Sequence, residues 1–101
     1  MMVAGTKTMD AGDGIEGSST VGIAPLFSLQ ENFDSISDDV PLVMARRKNM
    51  DHGDMLRYAD GYMTAWFMYW LHGDEEAGKA FFGENAEIKT NENWQDILKN
   101  K

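Results

Sequence analysis

Three side chains stand where acid–base chemistry can be done: Asp10 and Asp13, which follow the apolar run Met1–Ala4, and His52, which follows the run Pro41–Ala45 and the basic stretch Arg46-Arg47-Lys48. Both apolar runs are short and continuous, the pattern of strands buried on both faces. In an open α/β sheet functional groups gather in the loops just past the carboxyl ends of the strands, and a loop of that kind follows each run here. An aspartate after one strand and a histidine after the next supply the acid and the base of a triad in the chain order Ser, Asp, His. The carboxylate would fix the tautomer of the imidazole and stabilise the imidazolium, and the imidazole would take the nucleophile's proton.

The elements that must position these groups can be traced along the chain. Gly5, Gly12, Gly14, Gly17 and Gly22 fall between the first apolar run and Pro25, where no periodicity appears, so Gly5–Ala24 is predicted as a long loop. Pro25 suits the first position of a helix, and Leu26, Leu29, Phe33 and Ile36 form one apolar stripe on it. Pro41–Ala45 is predicted as the second strand and Arg46–Lys48 as a basic turn. From about Asp60 to Leu71 the pattern is helical and apolar on nearly every face, which predicts a buried helix and assigns the aromatic run Tyr62–Trp70 to the core. Gly73 ends it, Asp74 caps a further helix over Glu75–Phe82, and Trp94, Ile97 and Leu98 have the spacing of one more short helix.

Strand, crossover helix and strand imply parallel pairing. Two parallel strands leave two bare edges, and the aromatic helix carries more apolar surface than two short strands can cover. The predicted class is therefore α/β, with two parallel strands and packing helices, incomplete as a domain: residues 1–101 make a single partial domain.

Composition narrows the functions. Nine Lys+Arg against seventeen Asp+Glu give a net charge of −8 over 101 residues, so the basic footprint that nucleic acid requires is missing and no nucleic-acid partner is expected. Apolar residues at 43% and aromatics at 11% exceed what a disordered chain carries. With no cysteine, disulfides, thiolate metal sites and cysteine nucleophiles are excluded. The longest apolar uncharged stretch, Gly61–Leu71, falls short of a membrane span, and the amino terminus lacks the basic region of a signal peptide. A cytoplasmic location with no membrane span is expected.

Four strings carry a resemblance: Met2-Val3-Ala4-Gly5-Thr6 with Asp10, Ile23-Ala24-Pro25-Leu26, Asp51-His52-Gly53-Asp54, and Thr64-Ala65-Trp66-Phe67 before Leu71-His72-Gly73-Asp74. Together they resemble the carboxyl-terminal part of an α/β-hydrolase of the dienelactone-hydrolase-like and lipase-like esterase group, covering nearly all of this chain but only about the last third of the family's domain. The resemblance implies Asp10 as triad acid and His52 as triad base, with Asp13 as a rival for the acid, and makes the helix of Trp66 and Trp70 the closing helix. The family's Gly-x-Ser-x-Gly elbow is absent, the nearest string being Gly17-Ser18-Ser19-Thr20, and the oxyanion-hole loop is missing. The expected function is the carboxyl-terminal piece of a serine hydrolase acting on carboxylic esters, inactive alone and without a cofactor. Its partner would be the missing amino-terminal part of the domain or a second copy, and the complete enzyme would take a small-molecule ester. The contrasting expectation is a small acidic, non-catalytic binding or assembly module derived from a hydrolase tail.

Other motifs fail on chemistry. Gly73–Ala80 mimics a phosphate loop, but Ala80 replaces the magnesium-binding hydroxyl and Asp74, Glu75 and Glu76 would repel phosphate. Asp10–Gly14 lacks the ligand spacing of a calcium loop. Asp51, His52 and Asp54 are too close in sequence to converge on one metal ion, so no metal site is expected. His72 suits a cation at a helix carboxyl end.

Overall fold

A computed structural model describes residues 1–13 and 21–101. In chain order its elements are β1 (Met2–Gly5), α1 (Thr8–Ala11), α2 (Leu26–Ser35), β2 (Val43–Arg47), a 3-10 turn (His52–Asp54), α3 (Met55–Tyr58), α4 (Asp60–His72), α5 (Glu75–Gly78), α6 (Glu87–Thr90) and β3 (Trp94–Lys99). The strands form one mixed sheet in the order β1-β2-β3, with β1 parallel and β3 antiparallel to β2.

The central strand explains the layering. Side chains alternate across a strand, so Val43 and Ala45 enter one core with Met55, Ala59, Phe81, Ile88 and Trp94. Met44 enters the other, with Ala4 and Leu29. The amphipathic α2 covers that second face, its Leu26, Leu29 and Phe33 turned inward, and the helical half after β2 covers the first. This is a small α/β domain with helices on both faces of its sheet.

Besides α1, which lies inside the predicted loop Gly5–Ala24, three expectations about the extent of the elements need correction. The sheet has three strands, not two, because Asn91–Lys101 contains β3 rather than a helix. Its register slips between Met44 and Arg46, and Asp96 there has φ 51°. A bulge places two residues opposite one, so Trp94 and Ile97 reach the same core despite their odd spacing, and that three-residue interval imitates a helix. The bulged Asp96 is held by Arg46, whose Nη2 lies 2.7 Å and Nε 2.8 Å from Oδ2. Second, Arg46 and Arg47 belong to β2, not to a turn; the pairing partners of β1 and β3 carry the strand two residues past Ala45. Third, α5 stops at Gly78 instead of running to Phe82. A Cβ on Gly78 would lie 2.6 Å from the Tyr69 ring, so α5 presses on α4 there and the chain turns away.

The boundaries of α4 agree with the sequence: Gly73 takes φ 67° and ends it, and Asp74 caps α5 by accepting from the Ala77 N–H at 3.1 Å. Its burial does not. No residue of α4 is fully buried. Only the side bearing Tyr62, Ala65 and Trp66 packs against the core, while Phe67 is 53% and Leu71 73% exposed. A three-stranded sheet offers one flank to a helix that is apolar all round, and the remaining flanks face outward. Among the described residues no helix is long and apolar enough to cross a membrane.

Candidate active site

The site forms where the two parallel strands end. Beyond β1 the Thr6 and Lys7 N–H groups both donate to the Met50 carbonyl at 3.0 Å, and the Thr6 hydroxyl accepts from the Asn49 N–H at 2.9 Å. These bonds lash the two loops together. The approach is so close that a Cβ on Gly5 would lie 2.1 Å from the Met50 oxygen; only glycine fits. Lys7 then leads into α1, a single turn whose one buried residue is Asp10.

Asp10 is 1% exposed and every polar part of it is engaged. Its Oδ2 accepts from the Gly5 N–H at 2.5 Å, and its Oδ1 lies 2.7 Å from Nδ1 of His52. Its N–H donates to Oδ1 of Asp51 at 3.2 Å, and its carbonyl accepts from the Ala24 N–H at 3.0 Å. The returning chain passes so tightly that a Cβ on Gly22 would sit 1.9 Å from the Asp10 carbonyl oxygen.

Asp51 positions the histidine. Its side chain caps the 3-10 turn by accepting from the His52 N–H at 2.9 Å, while its own N–H donates to Asp54 at 3.2 Å, a reciprocal capping box. Desolvation opposes ionisation of Asp51, but the backbone N–H groups of His52, Met9 and Asp10, with the Lys7 charge, outweigh it and hold its carboxyl below the usual aspartate range.

The outcome is a buried carboxylate against an open imidazole. The His52 side chain is 53% exposed, with Nδ1 committed to Asp10. A proton on Nδ1, directed at the carboxylate, leaves Nε2 free to accept one from a neighbour. His52 also borders a cleft of about 660 Å³ whose other walls include Val3, Met55, Leu56, Met63 and Phe67. That cleft is apolar and runs from the dyad along the outward flank of α4.

Of the predicted site residues, Asp10 and His52 are brought together across 42 positions of sequence. Asp13 is exposed just beyond α1, and it is Asp10 that meets the imidazole. The string Gly17–Thr20 lies outside the described residues. His72 occupies the last turn of α4, exposed and away from the dyad. Among the described residues no group of three or more His, Asp or Glu side chains is placed to hold a metal ion. Sequence reasoning missed Asp51 and Gly22. For Asp51 the signal was present, since Asp-x-x-Asp ahead of a helix is a capping pattern; for Gly22 it was not, because the close approach is made by residues distant in sequence.

Comparisons with protein families, with curated proteins and with solved structures return no match for this chain.

Proposed function

We propose that this chain is the acid-and-base half of a serine hydrolase of the carboxylic-ester class, inactive until a second piece presents a serine. The observation that carries the proposal is the 2.7 Å contact between Nδ1 of His52 and a fully buried Asp10, with the His52 side chain half exposed at the border of a cleft. In the assembled enzyme Nε2 of His52 takes the serine proton as Oγ attacks the ester carbonyl, and returns it to the leaving alcohol; Asp10 orients the ring and stabilises its charged form. An acyl-serine forms and water then hydrolyses it. The second piece supplies the nucleophile elbow and the oxyanion hole. It has a natural seat, because β1 pairs only with β2 among the described strands and its other edge can extend the parallel sheet.

The test is complementation. This chain is co-expressed with the amino-terminal two-thirds of a dienelactone-hydrolase-like enzyme, cut before the strand that β1 would replace, and hydrolysis of short-chain aryl esters is measured. The expected result is activity in the mixture and none in either piece, with no labelling of this chain alone by a fluorophosphonate probe. In the active complex His52→Ala should lower kcat by several orders of magnitude, and Asp10→Asn by somewhat less. An active complex indifferent to His52→Ala would refute the proposal. The absence of any Gly-x-Ser-x-Gly segment in the reading frame upstream would favour the non-catalytic module, in which Asp10 and His52 serve only to clamp two loops.

A further inference from the structure

A second recess lies on the other side of the α3–α4 junction, between the end of β2, the start of α4 and the α6–β3 connection. It holds about 390 Å³, and its walls include Arg47, Tyr58, Asp60, Tyr62, Glu87 and Trp94. A volume of that size suits a small molecule. We propose that it binds a small zwitterion, with the ligand's carboxylate on Arg47 and its ammonium at Asp60. The proposal does not depend on the hydrolase reading.

Two adjacent arginines are treated differently. Arg46 is paired with Asp96 at 2.7 Å. Arg47 makes no ion pair among the described residues, and its Nε is buried with no hydrogen-bond partner. A buried donor left unmade costs free energy and calls for an explanation. The guanidinium is not loose: its carbon lies 5.8 Å from the Tyr58 ring centre and 5.7 Å from that of Trp94. Two aromatic faces hold the cation without using any of its N–H groups, so the pair of Nη groups at its tip stays available for a carboxylate, the shape a guanidinium matches best.

The acids on the wall decide what kind of carboxylate. Glu87 is occupied, accepting from the Tyr62 hydroxyl and from Nδ2 of Asn91. Asp60, exposed in the first turn of α4, makes no ion pair and no side-chain hydrogen bond among the described residues. A simple anion would meet Asp60, Glu87 and a chain of net charge −8, all repulsive. A zwitterion answers both unpaired charges at once, and its middle rests against Ala65, Ala80 and the aromatic walls.

The experiment titrates the isolated chain with ω-amino carboxylates from glycine to 6-aminohexanoate, following backbone amide shifts by NMR. Acetate, hexanoate and butylamine serve as one-ended controls. One chain length should bind roughly tenfold tighter than any control, shifting the Trp94 and Asn91 amides. Arg47→Lys, which keeps the charge and loses the fork, and Asp60→Asn should each weaken that ligand about tenfold. Should Arg47→Lys fail to fold, the exposed Asp60→Asn still decides. Equal binding of hexanoate and the best zwitterion, an unchanged affinity in Asp60→Asn, or no binding by any member overturns the proposal.

Discussion

Two regions of this domain are built on opposite terms. Every polar atom of Asp10 has a partner, two glycines beside it are forced by backbone contact, and its carboxyl group is sealed from water. Along α4 the side chains are large and apolar, yet Met63, Phe67, Met68, Trp70 and Leu71 are all more than a third exposed. The first region is fully determined by contacts inside this chain. The second is not, since large apolar side chains exposed side by side are the kind of surface that a further contact covers. A domain can thus complete its polar site internally while leaving its hydrophobic flank for a neighbour, and substitutions in the two regions should differ in kind.

The largest effect is expected at the tightest point of the first region. Gly22→Ala pushes a methyl into the Asp10 carbonyl and should lower stability by about 3 kcal/mol or more, read from urea denaturation midpoints; a loss below about 1 kcal/mol would mean that the loops yield. Asp10→Ala comes next. It strips partners from the Gly5 N–H and the imidazole, and should cost about 2–3 kcal/mol, whereas Asp10→Asn, which keeps the volume, should cost less.

A third expectation concerns acid. Asp51 ionises more readily folded than unfolded, so its contribution is complete above the unfolded value of about 3.9 and fades as pH falls through its lower folded value. Asp51→Asn should therefore flatten the acid limb of the stability curve below about pH 4 and leave the shape of the curve near neutrality unchanged. The smallest change in stability belongs to the second region. Leu71→Lys should alter it by no more than about 0.5 kcal/mol, while the wild-type chain should self-associate through α4 and Phe67→Ser with Leu71→Lys should reduce that association in light scattering. A monomeric wild-type chain with a sharp cooperative transition would show the flank to be tolerated rather than covered.

Much of the first region was legible in the sequence because its signals are local. A short apolar run followed by an acid, and another followed by a histidine, predicted two loops that bring an aspartate to a histidine, with Asp10 and Asp13 left as rivals for the acid. The parallel register of β1 and β2 followed from the crossover. Long-range events were not legible. The bulge at Asp96 hid a strand behind a helical spacing, because a single left-handed residue resets the alternation of Trp94 and Ile97. Strand β2 ran on into two arginines because pairing on both sides, rather than apolarity, sets its end. The apolar pattern of α4 announced burial, but a pattern records what a helix could bury and not how much sheet lies beneath it.

The parallel register has a consequence beyond the sheet. Met2 stands beside Met44 and Gly5 beside Arg47, and Asp10 meets His52 at the same offset of 42 positions. The two strands leave the sheet in phase, and the acid–imidazole contact extends that phase past the last rung of the ladder. Inserting one residue between Gly5 and Asp10 would turn the carboxyl about 100° around α1, and deleting one before His52 would draw the ring back by up to about 3.3 Å, with every strand hydrogen bond intact. Loops are ordinarily where a lineage tolerates gain and loss of residues; in these two, length itself is the constrained quantity, and an indel would part the acid from the imidazole while the strands stay paired.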